Sequence, residues 1–338
     1  MIQDIIEIHK RGGFNIRNWT CNSKTVVTQI PSEMRAKGWT TFDMGSELPT
    51  ERVLGMWWNP ETDCFTYKLN FRKVNPDALS GLKLPSKRNV LCITMSIFDP
   101  IGLVSHFVIK ARILFQQIWR SGIHLDDTIP DSLQSVWHTW LSELKNITTV
   151  SVPRWYFRRC HDVTSVQLHI SVDSSEAAFA TVAYLRIISD TGIQVSIICG
   201  RIRVAPLKPL TIPRLELQAA VMGVRIASTT KQEVEFSIAS THIWSDSQTV
   251  LCWLRSETRR FKTFVSNRVG EILEASEVEQ WRWVPTDLNP ADLATRASSP
   301  LNSVRRQLGS MAQNFFGRMN KNGMLTSRFQ RSLMRTTR

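Results

Sequence analysis

Four acidic residues stand where a folded chain could bring their side chains together. Asp173 closes an alternating apolar segment, and Asp246 follows a short apolar one. Glu216 lies one turn after Pro213, which suits the first position of a helix, and Asp292 opens the last predicted helix. A carboxylate that is buried without a partner costs several kcal/mol, so each of these acids needs one.

The partner can be separate for each acid or shared by all four. Asp246 could cap a helix that begins at Ser247, and Asp292 could favour a helix dipole. Glu216 is flanked by two leucines, which places it at the rim of a core face. A shared Mg²⁺ would take oxygen ligands from all of them. Two such ions about 3.5–4 Å apart can cleave a phosphodiester. The residues alone leave both explanations open.

The elements around these acids predict an α/β domain over residues 156–300. Apolar side chains alternate with polar ones from Val166 to Val172, which indicates a strand with one buried face. The strands are predicted at 166–172, 178–188, 193–199, 242–244 and 280–284, and the helices at 213–226, 247–254, 264–273 and 290–297. The order βββ-α-β-α-α-β-α predicts a mixed five-stranded sheet with flanking helices.

The flanking regions have different patterns. Residues 1–72 contain two predicted strands, 53–58 and 64–69, which is too little sheet for an independent domain. Residues 73–155 predict helices, the clearest at 104–118 and 131–144. The last 38 residues contain eight basic residues and no acidic one. Residues 301–338 are therefore predicted to be a basic, disordered tail, and a specific binding role for this tail is an equally open interpretation.

Composition narrows the class of protein. The formal net charge of +13 favours a polyanionic partner, and the twelve tryptophans suit both a core and base stacking. The start of the chain lacks a secretory pattern, and charged residues interrupt the longest apolar stretch, so no membrane partner is predicted. The six cysteines include no close pair. They predict a reduced protein that is cytoplasmic or nuclear and not secreted.

Four strings in order resemble a known family: Ile97-Phe98-Asp99-Pro100-Ile101-Gly102, Thr211-Ile212-Pro213-Arg214-Leu215-Glu216-Leu217, Trp244-Ser245-Asp246-Ser247 and Asn289-Pro290-Ala291-Asp292. The chain resembles part of the polyprotein of a BEL/Pao-type LTR retrotransposon, with an RNase H-like fold over 156–300. The resemblance implies that Asp173, Glu216, Asp246 and Asp292 bind two Mg²⁺ or Mn²⁺ ions and cut the RNA strand of an RNA–DNA hybrid.

The resemblance also assigns the rest of the chain. Residues 1–72 are similar to the end of a reverse-transcriptase palm, and 73–155 to its thumb and connection. Partners would include the remaining reverse transcriptase and other polyprotein segments, in a cytoplasmic virus-like particle or the nucleus. No Tyr-x-Asp-Asp motif is present, so no polymerase activity is expected from this chain alone. The tail has no His or Cys for an integrase zinc module.

Basic and aromatic residues could hold nucleic acid. Arg201, Arg203, Lys208 and Arg214 precede Glu216, where they could bind phosphates. A solvated charged loop explains them equally well. The segment 13–19, which ends at Trp19, is similar to a primer-gripping region. These residues keep open the alternative of a catalytically inactive nucleic-acid-binding remnant.

A second alternative is an aspartic peptidase that uses Asp190 in Asp190-Thr191-Gly192. Such an enzyme needs two aspartates that share a proton. Here the tripeptide falls between two predicted strands, where it favours an ordinary hairpin turn.

Overall fold

The computed structural model describes residues 2–71, 74–157, 162–256, 260–295, 315–316 and 319. The described residues form two compact units. The first belongs to Met1–Lys68 with Thr148–Trp155, and the second to Leu69–Ile147 with Tyr156–Arg338. The domain boundaries predicted from the sequence remain predictions.

The first unit contains two helices and a small antiparallel sheet. The helices are α1 (Ile2–Arg11) and α2 (Lys24–Thr28), and the strands, in sheet order, are β1 (Glu51–Val53), β2 (Met56–Asn59), β3 (Cys64–Thr66) and β4 (Ser151–Pro153). The segment predicted as one strand over 53–58 is a hairpin. Leu54 and Gly55 have φ values of 50° and 88°, which close a tight two-residue turn. Strand β4 was not predicted, because three residues carry too short a pattern.

The second unit is built on a five-stranded mixed sheet. Its strands are β5 (Val163–Ser174), β6 (Ala178–Ser189), β7 (Gly192–Val204), β8 (Ser240–Ser245) and β9 (Trp281–Trp283), in the order β7-β6-β5-β8-β9. Strands β7, β6 and β5 are antiparallel, whereas β5, β8 and β9 are parallel. Its helices are α3 (Pro76–Ser80), α4 (Lys87–Met95), α5 (Ser105–Arg120), α6 (Asp131–Leu144), α7 (Ile212–Glu233), α8 (Gln248–Leu254), α9 (Thr263–Ala275) and α10 (Asp292–Thr295). The predicted fold class and element order are confirmed.

One face of this sheet packs on α7, α8 and α9. The even-numbered residues of β5, from Val166 to Val172, lie in this core. Gly223 lets α7 approach the sheet closely, because a Cβ atom there would lie 2.6 Å from Val172 Cγ1. The alternation seen in the sequence therefore places the core side chains of β5 under α7.

The other face packs partly on α5. Ile109 of α5 contacts Ala180 and Ile202 of the sheet, and Ala294 of α10 joins this cluster. The loop before α5 touches β7 where both chains have glycine. Gly200 N donates to Ile101 O at 2.8 Å. Gly102 has a φ of +77°, and a Cβ atom there would lie 1.9 Å from Gly200 O. Helix α5 and the loop before it are thus part of the same core as the sheet.

Residues near the C-terminus cover more of this second face. Phe315, Phe316 and Met319 are buried with Tyr184, Trp244 and Val284. The guanidinium of Arg186 is fully buried, and it donates to Phe316 O at 2.7 Å and to Met319 O at 2.8 Å. At these three residues the structure differs from the disorder predicted for 301–338. The other residues of that tail lie outside the described part of the chain.

Candidate metal centre

Asp173 and Asp246 lie at the ends of two neighbouring parallel strands. Val172 of β5 pairs with Ser245 of β8, and each aspartate is the next residue of its chain. Parallel neighbours lie about 4.8 Å apart, so the two backbones present their carboxylates at the same edge of the sheet. This edge of an α/β sheet, at the carboxyl ends of parallel strands, is where such folds bind ligands.

A hydroxyl group joins Glu216 to this edge. Ser247 Oγ donates to Glu216 Oε2 at 2.5 Å. The same Ser247 is the N-cap of α8, because its hydroxyl accepts from Val250 N. The N-cap is thus Ser247, and Asp246 does not serve as the cap that the sequence left open. The contact fixes the first turns of α7 beside the end of β8.

The segment that carries Asp292 is attached to the end of β5. Asn289 is fully buried, and its Nδ2 donates to Val172 O at 2.9 Å. Its Oδ1 accepts from Ala291 N at 3.2 Å, which shapes the turn into α10. Thr295, at the end of α10, donates from its hydroxyl to Asp173 Oδ2. Asp292 therefore begins a helix that touches Asp173 directly.

No sequence pattern indicates the hydroxyl groups that hold these carboxylates. Ser247 holds Glu216, Thr295 holds Asp173, and Thr286 Oγ1 donates to Asp246 Oδ2 at 2.7 Å. Thr286 and Thr295 belong to the segment after β9, so they are distant in sequence from the acids that they contact. The threonines and the acids come together because the segment after β9 passes the edge of the sheet where β5 and β8 end.

The pKa values indicate crowded negative charge. Burial, together with the charges of Asp246 and Asp292, raises the pKa of Asp173 to about 7, although the Thr295 hydrogen bond opposes the rise. Burial and the charge of Asp246 also raise the pKa of Glu216, against the hydrogen bond from Ser247. Within the described residues, no salt bridge reaches Asp173, Glu216 or Asp246.

The chemistry of the four carboxylates suits a hard divalent cation. All four are carboxylates, and Mg²⁺ prefers oxygen ligands. A bound cation would also lower the electrostatic cost that raises the pKa of Asp173. The donors are not gathered tightly, because among the described residues no group of three or more His, Cys, Asp or Glu side chains is close enough to hold a metal ion. A cation would have to draw the four carboxylates inward, and those of Asp173, Glu216 and Asp246 would leave their hydroxyl contacts.

The predicted nucleic-acid residues are distributed over several elements. Arg201 and Arg203 are exposed on β7, and Lys208 is exposed in the loop that leads to α7. Arg214, in the first turn of α7, lies 5.1 Å from the ring centroid of Phe264. Trp19 is half-buried and belongs to the first unit, where it pairs with Arg35 in an isolated bridge.

Asp190 lies in the turn that joins β6 to β7. Ser189 pairs with Gly192 across this hairpin, and Ser189 Oγ donates to Gly192 O at 3.0 Å. The predicted hairpin turn is confirmed. A single exposed aspartate in a two-residue turn does not favour a peptidase, which needs two carboxylates that share a proton.

Comparison with known proteins agrees with this architecture. Residues 86–247 match the family model described as "Pao retrotransposon-like RNaseH-like domain". This match confirms the resemblance to a retrotransposon RNase H-like domain that the sequence showed, over slightly less than half of the chain. The match contains Asp173, Glu216 and Asp246, whereas Asp292 lies beyond it. No curated protein matches the chain.

Solved structures give more distant likenesses. RNase H1 from the halophilic archaeon Halobacterium salinarum is 16% identical, with 39% of this chain and 93% of that chain covered and a TM-score of 0.26. The foamy viral protease-reverse transcriptase in complex with RNA/DNA hybrid is 12% identical, with 69% of this chain and 28% of that chain covered and a TM-score of 0.39. None of the described helices in this chain is both long and apolar enough to cross a membrane.

Proposed function

We propose that this chain is a retrotransposon-derived ribonuclease H that cleaves the RNA strand of RNA–DNA hybrids. The observation that carries the proposal is the placement of Asp173 and Asp246 at the ends of two paired parallel strands, with Glu216 and Asp292 brought to the same edge. The match of residues 86–247 to a retrotransposon RNase H-like family supports the same class of activity.

The four carboxylates would hold two Mg²⁺ or Mn²⁺ ions. Such a pair supplies an activated water and stabilises the leaving oxygen of the phosphodiester. The chain's own contribution is to keep acidic oxygens at one edge and to orient them through hydroxyls. The hydrogen bond from Ser247 holds Oε2 of Glu216 and does not constrain Oε1. The Thr295 hydrogen bond stabilises the ionised form of Asp173, which is the form that binds a cation.

Partners and setting follow from the same proposal. The substrate is an RNA–DNA hybrid, held in part by Arg201, Arg203, Lys208, Arg214 and Trp19. The remaining reverse transcriptase and other polyprotein segments are proposed partners, in a cytoplasmic virus-like particle or the nucleus. Polymerase activity is not proposed for this chain alone.

The test is cleavage of a hybrid labelled on each strand, with Mg²⁺ or Mn²⁺, by the full chain and by Asp246→Asn. The matched control is Asp190→Asn, which removes the same charge from the exposed β6–β7 turn. We expect only the RNA strand to be cut, with activity lost in Asp246→Asn and kept in Asp190→Asn. Double-stranded DNA and single-stranded RNA should remain intact.

A measurement without catalysis accompanies this assay. The indole of Trp283 donates to Asp246 O at 3.2 Å, so metal binding at Asp246 should change tryptophan fluorescence. A folded chain that binds hybrid but neither responds to Mg²⁺ nor cuts would support the alternative of an inactive binding remnant. The loose spacing of the carboxylates among the described residues makes this alternative worth the direct test.

A further inference from the structure

The two faces of strand β5 carry side chains of different character. The even-numbered residues from Val166 to Val172 face the apolar core under α7. Gln167 and His169 lie on the opposite face, because successive side chains of a strand alternate. The strand register places Arg186 of β6 beside Gln167, and His242 of β8 beside His169. We call these four residues the polar face, and their chemistry suits a surface in contact with water.

This polar face is nevertheless buried. Each of its four residues is at most 7% exposed. Phe316 covers part of it, with its ring centroid 4.6 Å from that of His169. A guanidinium and two imidazoles are unusual beneath a permanent cover, because the burial of a polar group is unfavourable unless its polar atoms are paired.

Main-chain atoms make the directional contacts of this cover. Arg186 Nε donates to Phe316 O at 2.7 Å, and Arg186 Nη2 donates to Met319 O at 2.8 Å. The ring of Phe315 packs edge-on against Trp244, with ring centroids 5.3 Å apart. Folded domains recognise short peptides by this combination, in which donors bind main-chain carbonyls and side-chain contacts add specificity.

The cover leaves two imidazole nitrogens without a hydrogen bond. Within the part of the chain that the structure describes, His169 Nε2 and His242 Nδ1 are buried and have no partner. Trp244 Nε1 donates to His169 Nδ1, so the ring proton of neutral His169 is on Nε2, which is a donor. A buried donor without a partner offsets part of the free energy gained from the aromatic contacts. Water can reach both nitrogens when the cover leaves, which favours a reversible contact over a permanent one.

The sheet has its own contacts beneath the cover. From Gln167 to Val172, β5 pairs with β6 on one side and with β8 on the other. The opposite face of β5 packs on α7 in the main core of the domain. Departure of Phe315, Phe316 and Met319 would therefore leave the strand pairing and this core in place.

We propose that the polar face and Trp244 form a peptide-docking site, and that its occupant is the chain's own Phe315, Phe316 and Met319, bound reversibly. The ligand is a peptide with two adjacent aromatic side chains and a methionine three residues after the second. Its main-chain carbonyls bind the guanidinium of Arg186. The proposal is independent of the ribonuclease function, because no carboxylate of the metal centre takes part.

The test measures binding of a fluorescent peptide with the sequence of residues 312–322 by anisotropy. The proteins are the full-length wild type and a full-length variant with Phe315→Ala and Phe316→Ala, which we call the uncovered variant. We expect the peptide to bind the uncovered variant about tenfold more tightly, because in the wild type the attached residues compete at a high effective concentration. A peptide with Phe316→Ala should bind the uncovered variant about thirtyfold more weakly, since a buried aromatic anchor is lost.

Substitutions in the protein locate the site. Arg186→Gln in the uncovered variant should weaken peptide binding about tenfold, because two carbonyls lose their charged donor. The matched control is Arg203→Gln, which removes the same charge from an exposed position on β7 and should leave the affinity unchanged. Circular dichroism checks that each variant is folded. Equal binding to the wild type and the uncovered variant, or no binding to a folded uncovered variant, would overturn the proposal.

Hydrogen exchange of the wild-type chain decides the question without a substitution. Met319 N donates to Phe316 O, and a reversible contact predicts that this amide exchanges through a local opening, faster than the amides in the centre of β5. Excess peptide should accelerate exchange at Met319 and leave β5 unchanged. Exchange of Met319 at the rate of β5, or without any effect of the peptide, would show a permanent part of the core and reject the proposal.

Sedimentation of the two proteins tests whose residues occupy the site. Both the wild type and the uncovered variant should have the same oligomeric state if the contact lies within one chain. A wild-type dimer that dissociates in the uncovered variant would contradict the assignment, because the occupant would then be Phe315, Phe316 and Met319 of a second copy.

Discussion

Replacing Asp173 with asparagine should change how the stability of the metal-free protein depends on pH. The side chain is 6% exposed, and its pKa of about 7 in the folded protein compares with an ordinary value of 3.8. Because the folded state holds the proton more tightly, stability is greatest below the unfolded pKa and falls as pH rises toward 7. Asparagine keeps the shape and the acceptor for Thr295 but cannot ionise.

The magnitude follows from these two values. Each pKa unit corresponds to about 1.36 kcal/mol, so the full penalty above pH 7 is about 4 kcal/mol. Part of it, about 1.6 kcal/mol, is already present at pH 5. Between pH 5 and pH 8 the wild type should therefore lose about 2.5 kcal/mol more than Asp173→Asn.

The assay is urea unfolding at pH 5 and pH 8 in EDTA, followed by fluorescence, for the wild type and Asp173→Asn. Asp190→Asn is the control, since its carboxyl group is exposed in a turn. At pH 8 the addition of Mg²⁺ should restore stability to the wild type and not to Asp173→Asn, because only the wild type presents the ionised carboxylate. Parallel pH dependence in wild type and variant would refute the reasoning that Asp173 bears this electrostatic cost.

Three further substitutions test the packing that supports the site. Gly102→Ala should lower the free energy of unfolding in urea by more than about 2 kcal/mol, because the new Cβ would overlap a backbone carbonyl of β7. Gly122→Ala is the control: Gly122 also has a positive φ but has open space around it, so the substitution should cost about 1 kcal/mol. Gly223→Ala should cost about 1–3 kcal/mol through overlap with a valine methyl of β5, while Gly270→Ala, in open space on α9, should be neutral or stabilising. Arg186→Ala should cost about 3 kcal/mol by thermal unfolding, because it removes the buried guanidinium that donates to Phe316 O and Met319 O. An unchanged Tm would show that the C-terminal contact is dispensable.

The sheet and its long helices were predictable because their patterns are long. The alternation of apolar residues extends over several repeats from Val166 to Val172, and so does their helical spacing in α7. The period of the apolar residues is therefore enough to distinguish the strand from the helix. The acids were predictable as candidates because they sit at element ends among apolar neighbours. Their assignment as metal ligands remains a prediction.

Other features depend on contacts between distant parts of the chain. Nothing around Thr286 or Thr295 indicates that their hydroxyls hold Asp246 and Asp173, because that depends on which loops meet at the sheet edge. The burial of Phe315 and Phe316 was hidden by the basic residues around them, which dominate the composition of the tail. Local pattern carries no information about such long-range pairs.

The shared core of α5 and the sheet ties together two segments that the sequence suggested were separate. Ile109 packs on Ala180 and Ile202, and Gln116 Nε2 donates to Ala205 O at 2.7 Å across 89 positions of the chain. A change of side-chain volume on α5 must therefore be matched on β6 or β7. Related sequences should show these positions varying in concert. A gene exchange with its breakpoint near residue 150 would join halves that no longer fit.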